Sequence, residues 1–528
     1  MDLFLQRFAG CVTGCLSGFD RVLFRGTMRM LSHVPGLMSY LWALQVLLKD
    51  FADWSESLTR RVRAGSEGVM RGAGRPVVFL SDPGVSKEDY ARRIAERDGV
   101  TEGPVCLLTA VEPCWSFGLR RDRGEKKLVL EPRHRKCLHH YHYRIDPEVG
   151  LMHVRLQTWL PLGVRVCING REWLCRQLDK AGVGYARRDN CLTAVADVRR
   201  AQDLLDAQLA TDWAGWLAGV VDGAHPARRT DLLLEGRPLD YYWSAEQTEW
   251  ATDVMFDSPK SLAAVYPHLV RHGVLGLGCR DVMRFLGRKV PARGGVNGHF
   301  AGEAGSDLAA RPEGVRVRHR VNGNSVKMYD KQGSVLRVET VLSVRRINDC
   351  RDFKVYRGTE ADPADLQWRQ MRKGVADLHR RAEVSQASND RYLSAMAAVP
   401  CPATLREAVA PVCKAATRDG RRHRGLRPMH EADMRLVRAA ADGRWAVNGF
   451  RNADIRAELF GADGKDAREN RRRAGKVTRQ LAMLRAHGLV RRVPRTRRWV
   501  ATDEGRQLAA LLGAAQEAST EKLLAAAA

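Results

Sequence analysis

The stretch from Val315 to Leu342 constrains the fold most, because its turn residues and its alternating side chains agree on one register. Asn322-Gly323 is a preferred two-residue hairpin turn, and Lys331-Gln332-Gly333 suits a three-residue loop with glycine at positive φ. A two-residue second turn would flip the third strand and mix its faces. In the favoured register one face carries Val315, Val317, His319, Val326, Met328, Leu336, Val338 and Leu342. The pattern predicts a three-stranded antiparallel sheet with a core side.

The opposite face of this predicted sheet is cationic and holds one carboxylate. Upstream, residues 248–256 alternate as a half-buried strand that places Glu249 and Asp253 on one face. Ser258-Pro259 supplies an N-cap and a first-turn proline for a helix that ends near Gly273. We therefore predict an α+β domain over residues 237–400. Its cationic face comprises Arg316, Arg318, Arg320, Ser325, Lys327, Tyr329, Arg337 and Glu339, with Lys331 at the rim.

The carboxy-terminal quarter concentrates the positive charge of the chain. Residues 401–528 hold 27 basic and 14 acidic residues, a net charge of +13, which is half of the formal +26 of all 528 residues. Helix signals at 429–441, 452–460 and 467–487 precede a basic hairpin at 490–500 and a last helix from Thr502. This order resembles winged helix-turn-helix DNA-binding domains. The predicted DNA contacts are Arg471, Arg472, Arg473, Lys476, Arg479, Arg491, Arg492, Arg495, Arg497 and Arg498.

The segments outside the central and carboxy-terminal domains, together with the composition of the chain, give the rest of the predicted domain organisation. Residues 1–236 show both strand and helix signals, with helices expected at 87–97, 170–181 and 202–221. Residues 401–428 are predicted to form a basic connector. Residues 429–528 form the winged helix with an alanine-rich tail. The fold class predicted is α+β multidomain. With no Cys-x-x-Cys pair, no apolar run of membrane length and no export signal, we expect a cytoplasmic protein with reduced thiols and no membrane partner.

A histidine-rich strand offers one possible metal site. His140 and His142 alternate, so both side chains point the same way, as in the His-hydrophobe-His motif of nucleases that nick single-stranded DNA. His153 lies in the following strand-like run. The alternative interpretation is a histidine-rich strand that lines a phosphate-facing surface.

A second possible site depends on a family resemblance. Tyr329-Asp330-Lys331, followed by Leu336-Arg337-Val338-Glu339, resembles the "YDK … LRxE" signature of rolling-circle replication initiation factors of plasmids and filamentous phages. The resemblance implies a tyrosine-dependent DNA endonuclease that uses a divalent metal, Mg²⁺ or Mn²⁺. By analogy, Asp253, Glu339 and Glu249 would bind the metal. The catalytic group would comprise the nucleophile Tyr392 with Tyr329, Lys331 and Arg337, where Lys331 or Arg337 contacts phosphate.

Three classes of function follow from these patterns. The first is a DNA-processing protein of a mobile or replicating element, which holds duplex DNA through the winged helix and a single strand in the central domain. The second is a non-catalytic transcriptional regulator. The third is a binder of structured RNA, because Arg-rich helices with nearby aromatic residues also suit RNA.

Overall fold

The computed structural model describes most of the chain. The described residues are 1–226, 239–287, 304–311, 314–344, 353–359, 362, 364–397, 409–462, 466–494 and 496–517. The predicted DNA contact Arg495, residues 401–408 of the predicted connector and the end of the alanine-rich tail lie outside them.

The described residues contain a mixture of α-helices and β-strands, as expected. The helices are α1 Asp2–Arg7, α2 Val34–Ala43, α3 Phe51–Gly72, α4 Lys87–Arg97, α5 Gly170–Ala181, α6 Val198–Ala207, α7 Trp213–Ala224, α8 Pro259–Leu275, α9 Cys279–Phe285, α10 Leu378–Met396, α11 Glu431–Ala441, α12 Asn452–Phe460, α13 Ala467–Ala486 and α14 Asp503–Glu517. Among these, none combines the length and the apolar composition that crossing a membrane requires.

The strands range from 3 to 20 residues in length. They are β1 Val12–Met28, β2 Val77–Phe79, β3 Gly103–Asp122, β4 Lys127–Asp146, β5 Gly150–Gln157, β6 Val164–Asn169, β7 Tyr185–Arg188, β8 Cys191–Val195, β9 Tyr241–Phe256, β10 Ala304–Arg311, β11 Gly314–Val321, β12 Asn324–Lys331, β13 Val335–Ser343, β14 Lys354–Arg357, β15 Gln367–Gln370, β16 Ala416–Arg418, β17 Arg421–His423, β18 Val490–Arg492 and β19 Trp499–Ala501.

The chain divides into two compact units, each built from separate stretches of sequence. Unit I comprises Gly14–Thr252 and Val341–Ser385, and unit II comprises Met1–Thr13, Asp253–Thr340 and Gln386–Ala528. These boundaries differ from the predicted ones at 236 and 400. They fall inside β1, β9 and β13, so each of these strands contributes residues to both units.

Unit I is organised around strands in the order β9-β1-β6-β5-β4-β3-β2. Strand β2 runs parallel to β3, whereas β3–β4, β4–β5, β5–β6 and β1–β6 are antiparallel pairs. Helix α4 begins where the Ser86 hydroxyl accepts a hydrogen bond from the Asp89 amide, and it packs on Val105 and Leu108. Strand positions that alternate with these packed residues point to the opposite face of the sheet, where polar side chains can form a binding site.

The helix expected over residues 202–221 is two helices. Helix α6 ends at Ala207, and α7 begins at Trp213 because the Asp212 carboxylate accepts a hydrogen bond from the Gly215 amide 3.1 Å away. Asp212 thus acts as a helix N-cap inside a stretch whose apolar spacing alone suggested continuity.

Unit II contains the strand order β10-β11-β12-β13-β9 and has the predicted register. Arg318 pairs with Lys327 and His319 with Val326, and Gly333 takes a φ of +76° in the three-residue loop. The apolar face is buried as expected, except for Val315, which is 40% exposed. The register predicted for β11 and β12 from the Asn322-Gly323 turn is confirmed.

The carboxy-terminal part of unit II contains the expected helices and hairpin. Its buried core includes Leu436 of α11, Ile455 of α12, Leu481 of α13 and Leu508 of α14. Strands β18 and β19 pair antiparallel between α13 and α14. The predicted basic connector contains a small hairpin, β16–β17, between residues 416 and 423.

Candidate nucleic-acid interface and acidic pocket

Helix α13 presents a cationic side that is held in place by an apolar one. The Asp466 carboxylate caps its amino terminus by accepting hydrogen bonds from the amides of Arg468 and Glu469. Val477, Leu481 and Leu484 are buried, which fixes the rotation of the helix on the core. The exposed side therefore carries the residues predicted to contact DNA.

Those predicted residues differ in what they contact. Arg472 and Arg473 both form ion pairs with Glu469, at 2.8 and 3.0 Å, and Arg498 donates to the backbone oxygens of Asn448 and Gly449. The others are exposed and form no ion pair with any described residue: Arg471, Lys476, Arg479, Arg491, Arg492 and Arg497. Six cations of α13 and the β18–β19 hairpin are thus available to an anionic partner.

On the cationic face predicted in the central domain, Arg337, Tyr329 and Glu339 are buried in a network of paired charges, whereas the arginines of β11 are partly exposed. Arg337 is fully buried and makes two bonds to Asp253, from Nε to Oδ1 at 2.6 Å and from Nη2 to Oδ2 at 2.8 Å. Asp253 therefore has a guanidinium partner where we expected a metal ion. Sequence patterning separates two faces of a sheet but does not show what covers each of them.

Glu339 belongs to the same network and is also paired. Lys327 Nζ donates to its Oε1 at 2.6 Å, and the Tyr329 hydroxyl donates to its Oε2 at 2.7 Å. Burial raises the pKa of Glu339, but the Lys327 ammonium, the nearby Arg337 and the Tyr329 hydroxyl together hold it below its ordinary value, so the carboxylate stays ionised. Lys331 is also buried, at 7% exposure. The two predicted phosphate contacts, Lys331 and Arg337, are therefore both buried.

Tyr392 lies on the opposite face of the unit II sheet from Glu339. Its hydroxyl is 3.2 Å from His319 Nε2, and its ring packs edge-on against Phe285 at 5.3 Å. The side chain is fully buried, and burial raises its pKa. The expected convergence of Tyr392 with Asp253 and Glu339 is therefore wrong for this conformation.

The histidine pair of β4 is joined through a serine of α3. Ser66 Oγ lies 2.9 Å from His140 Nδ1 and 2.5 Å from His142 Nε2, with both rings buried. Burial lowers the pKa of His140 to about 4, and burial with the nearby His140 and His225 lowers that of His142 to about 3. Both imidazoles are therefore neutral at pH 7.

His153 does not join that pair. The antiparallel register places it opposite Tyr143, so its ring lies on the other face of the sheet, 5.0 Å from the Tyr143 ring. The predicted metal site formed by His140, His142 and His153 is wrong. His153 pairs with Tyr143, and neighbouring residues of a strand point to opposite faces, so His153 lies on the face opposite to His140 and His142.

Unit I contains a polar cavity of about 700 Å³, and only some of its lining residues were predicted as site residues from the sequence. Glu249, one of the predicted metal ligands, lines it together with Asp20, and these two carboxylates offer oxygen atoms within 4.8 Å of each other. Arg21 and His153 line the same cavity. Asp20 is a single acid within an apolar strand, a pattern that carries no signal for a ligand.

Comparisons with models of protein families, with curated proteins and with solved structures find no match to this chain.

Proposed function

We propose that this protein binds duplex DNA through a winged helix formed by residues 429–517. The observation that carries the proposal is a group of six exposed cations on α13 and the β18–β19 hairpin that form no ion pair within the part of the chain that the structure describes. In winged helices the third helix enters the major groove and the hairpin contacts the backbone nearby. Helix α13 and the hairpin follow each other in that order.

The charge pattern favours the phosphate backbone as the main source of affinity. Each phosphate neutralised in B-DNA contributes about −0.9 to the slope of log K against log salt concentration, so six contacts would give a slope of about −5. Sequence preference requires base contacts in addition, and α13 supplies the exposed Arg471 near its amino terminus and the exposed Arg479 further along for them.

The test compares the full chain with Arg471→Ala/Arg479→Ala by fluorescence anisotropy on a labelled 20-base-pair duplex across a salt series. The double variant should lower the magnitude of the slope by about 1.8. The matched control, Arg435→Ala/Arg438→Ala, removes the same charge from the exposed side of α11 and should leave it unchanged. Equal slopes for the wild type and the first variant would refute the proposed interface.

The same measurement separates a DNA protein from a binder of structured RNA. Duplex DNA and an RNA stem-loop of equal charge are compared at matched salt. Stronger binding of the DNA supports the proposal, and a clear preference for RNA replaces it with the RNA alternative.

A second candidate function, metal-assisted DNA strand cleavage by a protein of a replicating or mobile element, is favoured by the carboxylate pair in the unit I cavity. Carboxylate oxygens suit Mg²⁺ or Mn²⁺, and Asp20 and Glu249 are close enough to share one ion. Arg21 beside them would stabilise negative charge on a phosphodiester. Tyr392 is not part of this proposal.

The cavity is tested by metal binding and by cleavage separately. Isothermal titration of the wild type with Mn²⁺ should give a binding event that Asp20→Asn weakens at least tenfold, and single-stranded DNA should be cut only with metal. Asp189→Asn, a cavity-lining substitution outside the carboxylate pair, is the control. Metal binding equal in the wild type and Asp20→Asn would exclude this site.

A further inference from the structure

The distal half of the β3–β4 hairpin in unit I carries a dense group of cations. Between residues 119 and 136 the sequence has eight Lys or Arg and three acids. The acids pair with Arg120, Lys127 and Arg133. The remaining cations are exposed and have no ion pair with any residue that the structure describes: Arg121, Arg123, Lys126, Arg135 and Lys136.

One end of this cationic strip meets a groove between the hairpin and α3. The groove has a volume of about 500 Å³ and is lined by Arg60 and Arg63 of α3, by Arg135 and by Trp159. Among the described residues that line it, Glu56 is the one acid. The groove is therefore cationic, and its position continues the strip of charges along β4.

The aromatic residue in the groove is arranged as a stacking platform. The Arg135 guanidinium lies 4.8 Å from the centroid of the Trp159 ring. Trp159 Nε1 is buried and has no hydrogen-bond partner among the described residues. Arg63 Nε donates to Thr158 Oγ1 at 3.3 Å, which holds the α3 side of the groove against the same segment. A guanidinium layered on an indole offers a flat cationic surface to an unpaired base.

We propose that this groove and the cationic strip bind single-stranded nucleic acid, with a base on the Arg135–Trp159 platform and the backbone along the hairpin. Stacking on an aromatic platform requires unpaired bases, which selects a single strand over a duplex. Eight residue pairs separate Arg135 from the hairpin end, a path of about 26 Å at 3.3 Å per residue. That length suits a polymer and exceeds a mononucleotide. This surface is distinct from α13, and the proposal does not depend on duplex binding there.

The test uses the full chain with labelled 20-nucleotide oligo-dT and oligo-U across a salt series. Arg60→Ala/Arg135→Ala should reduce the magnitude of the salt slope by about 1.4, because each phosphate of a single strand contributes about 0.7. Arg199→Ala/Arg200→Ala removes the same charge from exposed positions of α6 and should leave the slope unchanged. Preference for oligo-dT or for oligo-U then identifies the bound strand as DNA or RNA, and equal binding shows that the surface does not distinguish the two.

Two further readouts separate this surface from the proposed duplex site. The groove variant should keep wild-type affinity for duplex DNA, whereas Arg471→Ala/Arg479→Ala should keep wild-type affinity for oligo-dT. Trp159→Ala should weaken oligo-dT binding about 5- to 150-fold, and Trp159→Phe should retain most of it. An unchanged melting temperature of each variant shows that its fold is intact.

Photocrosslinking provides a test without substitutions. An oligomer that contains 5-iodouracil should crosslink to peptides that include Arg135 or Trp159. Crosslinks confined to residues 467–501 would overturn the proposal. Failure of either oligomer to bind, or an equal loss with the α6 control, would also overturn it.

Discussion

The neutral pair of histidines buried beside Ser66 makes unit I sensitive to acid. The folded-state pKa values of His140 and His142 are about 4 and about 3, below the value of about 6.5 in an unfolded chain. Between these values the unfolded state binds more protons. The stability they contribute is therefore fully present above about pH 6.5 and is lost as the pH falls towards 4.

The expected magnitude follows from the two pairs of pKa values. At pH 5 each histidine should reduce the free energy of unfolding by about 2 kcal/mol relative to pH 7, so both together cost about 4 kcal/mol. His142→Asn removes one titrating ring and keeps an amide that can bond to the Ser66 hydroxyl. This variant should lose about 2 kcal/mol less than the wild type over the same pH interval.

Urea-dependent hydrogen exchange of peptides from β4 and β5 measures the stability of unit I alone, after correction for the intrinsic pH dependence of exchange. His134→Asn, at an exposed position of the same strand, is the control and should follow the wild type. The reasoning fails if His142→Asn and the wild type lose equal stability between pH 7 and pH 5.

Three other substitutions test contacts in unit II. Arg337→Met leaves the Asp253 carboxylate buried without its partner and should cost about 3–5 kcal/mol in urea unfolding, whereas Asp253→Leu/Arg337→Met should recover most of that loss. Tyr392→Phe removes one hydrogen bond and should cost about 1 kcal/mol, with unchanged DNA binding and unchanged cleavage if cleavage is detected. Asp466→Ala removes the N-cap of α13 and should lower stability by about 1 kcal/mol, measured by thermal unfolding.

The sequence predicted the strands of unit II well because their register depends on nearby residues. Asn322-Gly323 and the loop before Val335 are turn signals, and alternation then assigns each residue to a face. The same locality explains the helix bounds at 452–460, which the structure reproduces. Such local signals made these ends predictable, whereas the Asp212 cap of α7 was missed because the apolar spacing continues across it.

The site residues were less predictable because their partners are distant in the sequence. Arg337 and Asp253 are 84 positions apart, and no local pattern shows that they meet. The face of His153 depends on its register with β4, which alternation within one strand cannot give. Asp20 had no signal at all. Contacts between distant segments decided which charged residues are buried, paired or available.

The division of both units into separate stretches has a consequence for synthesis on the ribosome. Unit I needs residues up to Ser385 before its last segment can dock, and unit II combines the first thirteen residues with the carboxy-terminal ones. Strand β1 must therefore wait, partly unpaired, until its second neighbour β9 is made, which is about half of the chain. Pairings at such sequence separation form slowly, so nascent chains expose strand edges for longer than chains with contiguous domains do. Expression at low temperature or with chaperones should therefore raise the soluble yield.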